Sequence, residues 1–168
     1  MKTVSSIPNK IYTSEALQKQ LKRWRLQNRT IVFTNGVFDI LHEGHIASLS
    51  EAAAEGDVLI VGVNADASVK RLKGDDRPVN NETSRALLLA ALLMTDAIIL
   101  FEEDTPLNLI SMLMPDVLVK GGDYTLDQIV GSKEVMANGG KVKIVPLLDG
   151  FSTTGLIQKM KAMKNRSF

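Results

Sequence analysis

The sequence predicts an α/β fold, a doubly wound parallel five-stranded sheet with helices on both faces. Short apolar runs of strand length alternate with helix-like segments, and this order is typical of a parallel sheet. Within the runs, apolar residues stand at consecutive positions, as in strands that are covered on both faces. The chain has 168 residues and is 45% hydrophobic, which suits one compact domain.

The first predicted element is a lead-in helix. Apolar residues recur at helical spacing over Thr13–Gln27, and Thr13 or Ser14 can cap the start of this helix. We therefore expect a single domain over 1–168, in which 1–28 form the lead-in and 29–168 form the core.

Five strands and five further helices follow in alternation. The strands are predicted at Thr30–Thr34, Val58–Val63, Ala97–Phe101, Val117–Val119 and Val142–Pro146. The helices are predicted at Gly44–Glu55, Glu82–Met94, Pro106–Met112, Ser132–Ala137 and Ser152–Lys164. The longest apolar stretch, Ala86–Phe101, is shorter than the roughly 20 residues that span a bilayer. It is interpreted as a buried helix followed by a buried strand.

Composition limits the partners and the location of the protein. Twenty basic residues against nineteen acidic residues give a net charge of +1, so no overall field attracts nucleic acid. The chain contains no cysteine, which excludes disulfides and thiolate metal sites. Met1–Lys10 lacks the apolar core of a signal peptide. We expect a cytoplasmic protein with neither nucleic acid nor a membrane as partner.

A glycine and two histidines follow the first strand, where a parallel sheet binds its ligands. The segment Asn35–His45 leads directly into a helix, whose free N–H groups attract anions, and Gly36 allows close backbone approach. His42 and His45 stand three residues apart, about 5–6 Å between their Cβ atoms on one side of a helical turn. They are the only histidines in the chain, and together they can donate hydrogen bonds to one phosphate chain.

Two other interpretations of the histidines remain open. One histidine can cap the helix while the other packs in the core. Alternatively, the pair can bind a metal together with Asp39 or Glu43. The spacing differs from the His-Glu-x-x-His pattern of zinc proteases, so no protein metal ligand is predicted.

A cationic segment follows the second strand. After the turn Asn64–Asp66 the chain carries Lys70, Arg71, Lys73 and Arg77 in a predicted loop. This loop is either simply solvated or a mobile lid that closes over phosphates. Arg85, near the start of the next helix, can add one fixed guanidinium to the cationic cluster.

The last two strands end in small and hydroxylated residues. Lys120, Gly121, Gly122, Asp123 and Tyr124 form either a tight turn or a close backbone approach to a ligand beside a lysine. Asp149–Thr154 ends in three successive hydroxyls after a glycine. One hydroxyl can be an ordinary helix cap, but three indicate a second site for an anion.

A family resemblance joins these motifs. The string Gly36-x-Phe38-Asp39-x-x-His42-x-Gly44-His45, with Ser152-Thr153-Thr154 downstream, resembles the signature of the cytidylyltransferase-like nucleotidyltransferase superfamily. Within it, most of the chain is similar to the heptose 1-phosphate adenylyltransferases of lipopolysaccharide core synthesis. The segments that carry this similarity are Thr34–His45, Lys70–Asn80, Phe101–Thr105, Leu118–Tyr124, Gly131–Glu134 and Asp149–Thr154.

The resemblance implies transfer of AMP from ATP to D-glycero-D-manno-heptose 1-phosphate, expected as the β anomer, giving ADP-heptose and pyrophosphate. Mg²⁺ is the implied cofactor, bound mainly through the ATP phosphates. The catalytic residues implied are His42, His45 and either Lys70 or Lys73. The nucleotide contacts implied are Asn35, Gly36, Phe38, Asp39, Gly44, Lys120, Gly121, Gly122, Asp123, Ser152, Thr153 and Thr154. The substrate contacts expected are Asn64, Asp66, Arg77 and Arg85.

The sequence also leads to expectations about the partners of this protein and leaves several alternative functions open. Similar proteins are commonly homodimers, and many carry a fused sugar kinase for which this chain has no room, so a separate heptose kinase is expected. Glycerol-3-phosphate cytidylyltransferases carry an arginine where this sequence has Leu147, which favours the adenylyl reaction. A cytidylyltransferase acting on a polyol phosphate, a non-catalytic nucleotide sensor and a histidine metalloenzyme remain the alternatives.

Overall fold

The computed structural model describes residues 4–146, 148 and 150–164. Six parallel strands form one sheet in the order β1-β4-β3-β2-β5-β6. Leu147 and Asp149, which belong to two of the sequence-based predictions, lie outside the described residues. The strands are β1 (Ile11–Tyr12), β2 (Ile31–Gly36), β3 (Val58–Asn64), β4 (Ala97–Phe101), β5 (Val117–Gly121) and β6 (Lys141–Val145).

Seven α-helices and two short 3-10 helices accompany these strands in the part of the chain that the structure describes. The 3-10 helices span Val4–Lys10 and Leu126–Gln128. Within the described residues no helix is both long enough and apolar enough to cross a membrane. The α-helices are α1 (Ser14–Leu26), α2 (Glu43–Ala53), α3 (Asp66–Lys73), α4 (Glu82–Ala90), α5 (Leu107–Leu113), α6 (Ser132–Ala137) and α7 (Thr153–Lys164).

The parallel α/β architecture is confirmed, with three corrections. The sheet has six strands rather than five, because β1 adds to the edge of β4 through the pairs Ile11–Ile98 and Tyr12–Ile99. The cationic segment after β3 is not a loop, since its first part forms α3. Helix α4 ends at Ala90, four residues before the predicted end at Met94.

Helices cover both faces of the sheet. One core cluster joins β2, β3 and β4 to α1, α5 and α6 through side chains such as Leu17, Phe33 and Ile110. The other cluster joins the opposite face to α2 and α4 through Leu49 and Leu89. All seven residues of β3 are buried, as expected for a central strand that is covered on both sides. The stretch Ala86–Phe101 contributes a buried helix face and a buried strand, as predicted.

Aspartates fix the amino-terminal ends of the central strands. The Asp57 carboxylate accepts a hydrogen bond from the Thr30 N–H at 2.8 Å, and the Asp116 carboxylate accepts one from the Ile31 N–H at 2.7 Å. Asp96 does the same for the Leu59 N–H at 2.8 Å. Thr30 precedes β2, Ile31 begins it and Leu59 is the second residue of β3, so each bond satisfies a backbone donor at the start of a strand.

The sheet opens at its carboxyl end between β2 and β5. Strand β2 pairs with β3 as far as Gly36, but it pairs with β5 only at Val32 and Phe33. The chain order also reverses here, since β2, β3 and β4 extend to one side and β5 and β6 to the other. Such a switch point is where open α/β sheets bind ligands.

Candidate active site

The two histidines stack against each other at the start of α2. His42 is the N-cap residue and His45 lies in the first turn of the helix. Their ring centroids are 3.8 Å apart and the ring planes differ by 25°. The prediction that both imidazoles lie on one side of this helical turn is confirmed.

Both imidazoles have a buried nitrogen without a partner. Nδ1 of His42 and Nδ1 of His45 are buried and accept or donate no hydrogen bond within the described residues. Burial lowers the pKa of His42. Burial, together with repulsion from His42, lowers the pKa of His45 to about 4. Both rings are therefore neutral near pH 7, and the unpartnered nitrogens are a cost that a bound ligand could remove.

Two glycines of the motif make room for the rings. A Cβ atom on Gly36 would lie 3.0 Å from Cε2 of Phe38, and one on Gly44 would lie 3.2 Å from two ring atoms of His42. Phe38 adopts a φ of 50°, which is unusual for a side chain of its size, and its ring lies 5.3 Å from the His45 ring. The glycine, aromatic and histidine positions of the motif therefore form one packed unit.

The histidines line a cavity that has two adjoining parts, which we call the histidine cavity. One part, of about 230 Å³, includes both histidines together with Ser152 and Thr153. The other part, of about 160 Å³, includes His45 and extends into the crevice between β2 and β5. The predicted residues that line the histidine cavity are Asn35, Gly36, Phe38, His42, Gly44, His45, Lys120, Gly121, Ser152 and Thr153.

The start of α7 is connected directly to this motif. Thr153 Oγ1 donates a 3.4 Å hydrogen bond to the Ile40 carbonyl. Ser152 Oγ accepts a hydrogen bond from the Gly155 N–H at 3.0 Å, as a helix cap does. The ordinary capping role that the sequence left open is therefore present at Ser152, within a wall of the cavity that contains both histidines.

Asp39 is buried, and its carboxylate organises the segment after α3. Its side chain is fully buried and accepts hydrogen bonds from Arg77 Nε at 2.7 Å and from the N–H groups of Val79 and Asn80. Burial alone raises the pKa of this carboxyl, but the hydrogen bonds from Asn80, Val79 and Arg77 outweigh burial, so the pKa is below its usual value. The carboxylate and the Arg77 guanidinium are thus engaged with each other in this structure.

Arg85 is a buried side chain that bonds to several segments of the chain, and its cation is not accessible. It is 0% exposed, and its guanidinium donates to the carbonyls of Val37, Asn64 and Asn80 and to the Asp66 carboxylate at 2.6–3.0 Å. The expectation that Arg85 adds a guanidinium to a substrate-facing cluster is wrong for this conformation. The side chain instead joins the turn after β2 to the turn after β3.

The remaining predicted residues lie away from the histidine cavity. Lys70 and Lys73 are exposed on α3, and Thr154 is exposed on α7. Asp123 is exposed, while Gly122 is buried and its N–H donates to the Val145 carbonyl at 3.0 Å. None of these five lines the histidine cavity as described above.

Ser48 and Phe151 are among the residues of the histidine cavity that were not predicted. Ser48 lines both parts of it, and Phe151 lines one part with its ring 6.4 Å from the His42 ring. Ser48 follows His45 by three residues, so helical spacing alone could have placed it on the same face. Phe151 had no such signal, because its position depends on how the segment after β6 returns to α2.

Comparison with known proteins identifies this motif set. Residues 33–164 match the family described as Cytidylyltransferase-like. The chain belongs to the cytidylyltransferase-like family. As a member of this family it is a nucleotidyltransferase enzyme, and the histidines, the glycines and the start of α7 all fall within the matched region.

Similar sequences come from bacteria. The bifunctional protein HldE of Rhodospirillum rubrum is 51% identical over 164 residues, which cover 98% of this chain and 33% of that protein. The bifunctional protein HldE of Nitrobacter winogradskyi is 57% identical over 143 residues, which cover 85% of this chain and 29% of that protein. This chain thus spans about a third of the length of the curated relatives that it matches.

Solved structures share the fold. The lipopolysaccharide core biosynthesis protein from Thermoplasma volcanium is 35% identical with a TM-score of 0.59, covering 71% of this chain and 97% of that one. A pantoate-beta-alanine ligase from Francisella tularensis has the same TM-score at 16% identity, covering 92% of this chain and 77% of the other. The second likeness concerns the fold alone.

Proposed function

We propose that this chain transfers AMP from ATP to D-glycero-D-manno-heptose 1-phosphate, as the β anomer, and releases ADP-heptose and pyrophosphate for lipopolysaccharide core synthesis. The motifs that resemble heptose 1-phosphate adenylyltransferases support the reaction. The likeness to HldE proteins and to a lipopolysaccharide core biosynthesis protein supports the pathway.

The observation that carries the proposal is the pair of stacked histidines with unpartnered buried nitrogens. They lie at the start of a helix, where N–H groups and the helix dipole favour an anion. A neutral imidazole donates one hydrogen bond, so His42 and His45 can each donate to a triphosphate oxygen. The adjacent start of α7 offers Ser152 and Thr153 from the other wall of the cavity.

The reaction is an in-line displacement at the α-phosphorus of ATP. A phosphate oxygen of the acceptor forms the new P–O bond while the bond to the β-phosphate oxygen breaks and pyrophosphate leaves. No general base is needed, because the acceptor phosphate is already ionised near pH 7. The protein therefore acts mainly by holding the geometry and by offsetting the charge that develops on pyrophosphate, which His42 and His45 can do.

Mg²⁺ is expected to accompany the ATP phosphates rather than to occupy a protein site. Within residues 4–146, 148 and 150–164, no group of three or more acidic or histidine side chains is arranged to hold a metal ion. The Asp39 carboxylate, which the motif places near the histidines, is engaged with Arg77, Val79 and Asn80. When bound, Mg²⁺ would supply positive charge that neutralises the phosphates.

The decisive experiment incubates the purified protein with ATP, Mg²⁺ and each anomer of heptose 1-phosphate. We expect ADP-heptose and stoichiometric pyrophosphate from the β anomer. A parallel series with CTP and glycerol 3-phosphate examines the cytidylyltransferase alternative. Nucleotide binding without pyrophosphate release in any combination would instead favour a sensor and reject the proposal.

The proposal extends to partners. A sugar kinase activity would supply the heptose 1-phosphate in the cytoplasm, and the chain would act as a homodimer, as similar proteins commonly do. Light scattering of the purified protein would determine the oligomeric state. Lys70 or Lys73 is proposed to reach the triphosphate from α3, whose exposed cationic face leaves these side chains unburied.

A further inference from the structure

A second cavity lies on the opposite side of the β2–β5 crevice from the histidines. Its volume is about 360 Å³, within the range of roughly 300–1,000 Å³ that is typical of small-molecule sites. We call it the opposite cavity. It is bordered by Leu118 and Ile129 of one core cluster, whereas the histidine cavity is bordered by Leu49, Val119 and Val145 of the other.

The two cavities share a narrow wall. Asn35, Gly36 and Lys120 line both of them, and these residues are the ends of β2 and β5, where the two strands no longer pair. Gly36 has no side chain, so little bulk separates a ligand in one cavity from a ligand in the other. The crevice could therefore bring two substrates together.

The lining of the opposite cavity suits a hydroxylated anion. Uncharged hydrogen-bonding side chains come from Asn35, Asn64, Thr105, Tyr124 and Gln128. Lys120 is the one cation in the lining that is described here. The one carboxylate in this lining, Asp104, already accepts a 2.7 Å hydrogen bond from Arg71.

Lys120 directs its charge into the opposite cavity. Leu118 packs in the core cluster of that face and Val119 in the other cluster, so strand alternation places Lys120 on the same face as Leu118. Its Nζ lies 5.8 Å from the centroid of the Tyr124 ring, which lines only this cavity.

The ammonium of Lys120 has no anionic partner within the described part of the chain. Burial lowers its pKa, and neither a hydrogen bond nor an ion pair compensates it there. The Lys120 side chain is half-buried rather than fully enclosed, so its ammonium is accessible to a ligand. A phosphate bound beside it would supply the anionic partner that the ammonium lacks.

We propose that the opposite cavity binds the acceptor sugar phosphate and that Lys120 holds the acceptor phosphate at the crevice. This inference rests on the proposed function and adds the location of the second substrate. It also differs from the assignment of Lys120 to the nucleotide. Of the four residues that the sequence assigned to the acceptor, Asn64 lines the opposite cavity. The side chains of the other three, Asp66, Arg77 and Arg85, are engaged with other protein groups in this structure.

The test compares Lys120→Met with Lys22→Met, an exposed lysine on α1. For Lys120→Met we expect the KM for heptose 1-phosphate to rise about 10- to 100-fold, the scale of losing one hydrogen bond to a charged group. The dissociation constant of ATP, measured by calorimetry without acceptor, should change less than about threefold, as expected for a group that does not contact ATP. Lys22→Met should leave both measurements unchanged.

Thermal unfolding separates binding from a structural role. Since Lys120 forms neither a hydrogen bond nor an ion pair with the described residues, and contacts the Tyr124 ring only at 5.8 Å, the melting temperature of Lys120→Met should differ little from that of the unchanged protein. An unchanged acceptor KM in Lys120→Met would overturn the inference. A weakened ATP affinity with an unchanged acceptor KM would also overturn it, in favour of a nucleotide contact.

Failure of the proposed function can be distinguished from failure of this inference. If the unchanged protein produces no nucleotide sugar, direct calorimetry with heptose 1-phosphate still decides the inference. Binding that Lys120→Met weakens at least tenfold supports the site, and absence of binding rejects it.

Discussion

At the scale of single residues, the histidine pair determines what the site can do. His42 and His45 bury nitrogens that no protein group within the described residues satisfies, which is a cost in the free protein. A buried polar group without a protein partner is typical of a place where a bound ligand supplies the missing hydrogen bond. This property distinguishes the pair from ordinary core histidines more sharply than its position in the sequence does.

Replacing either histidine by alanine should reduce turnover with little loss of folding. For His42→Ala we expect kcat to fall roughly 10²–10³-fold, as when one charge-stabilising donor is lost. Because its Nδ1 has no protein partner, the melting temperature should change little. Pyrophosphate release and thermal unfolding measure the two effects. A variant with near-normal turnover would remove His42 from the mechanism.

The depressed pKa of His45 predicts how stability depends on pH. The unfolded chain protonates this imidazole below about pH 6.5, while the folded chain does so only near pH 4. Between these values the unfolded state binds more protons, so stability falls as the pH falls. Urea unfolding between pH 7 and pH 5 should show this slope, and His45→Gln should flatten it. An equal slope in both proteins would contradict the low pKa.

At the scale of elements, Asp39 connects the motif after β2 to the segment that precedes α4. Its buried carboxylate is held by Arg77 and by two backbone N–H groups. The motif aspartate therefore acts on the chain that follows α3, whatever further contact a nucleotide adds. Any movement of α3 toward the phosphates must be compatible with this connection.

Asp39→Asn should destabilise the protein far more than a matched change at the surface. Removing one partner of a buried ion pair costs about 3–5 kcal/mol. Asp104→Asn is the control, because Asp104 and Arg71 are about half exposed and such pairs contribute about 0–1 kcal/mol. Urea unfolding at pH 7 compares the two. Equal losses of unfolding free energy would show that burial of the Asp39 pair contributes little.

The elements that the sequence could not predict are short or depend on distant contacts. Strand β1 has only two residues, too few for any periodic pattern, and forms because Ile11 and Tyr12 pair with β4. Helix α3 was hidden by its cationic face, although Ser68 and Val69 are buried on its other side. The longer strands and helices were predictable, because their apolar patterns extend over several residues.

The residues of the candidate site likewise include some that the sequence could predict and some that it could not. The histidines, the glycines and the hydroxyls of Ser152 and Thr153 were predictable because a contiguous motif carries them to one edge of the sheet. Arg85 was not, since a fully buried arginine contradicts the usual exposure of its type and requires four acceptors from three separate segments. The burial of Arg85 depends on tertiary contacts that no local sequence pattern encodes.

At the scale of the whole molecule, Lys10 adds hydrogen bonds to the strand pairing that attaches the N-terminal segment to the core. Lys10 Nζ donates to the Leu92 carbonyl at 3.1 Å and to the Thr95 carbonyl at 2.7 Å. These bonds join the first 3-10 helix and β1 to the turn between α4 and β4. The edge of the sheet beside β4 is therefore covered by a segment that contains none of the proposed catalytic residues.

Lys10→Met should lower the unfolding free energy by about 1.5–3 kcal/mol, the contribution of hydrogen bonds to a charged group. Lys19→Met is the matched control, because its side chain is 70% exposed and pairs only with Glu15 four residues earlier; we expect a loss of about 0.3–0.5 kcal/mol there. Denaturant unfolding measures both values. A loss for Lys10→Met no larger than for Lys19→Met would show that the N-terminal segment adds little stability.

The division of the sheet between β2 and β5 also bears on the order in which the parts of the site form during synthesis. The histidines come from the part of the chain before β4, whereas Lys120, Ser152 and Thr153 come from the part after it. Neither part alone contains all of the proposed site residues. During synthesis, the proposed activity would therefore arise late, when the C-terminal part has joined the sheet, and an intermediate that lacks this part would not convert the proposed substrates.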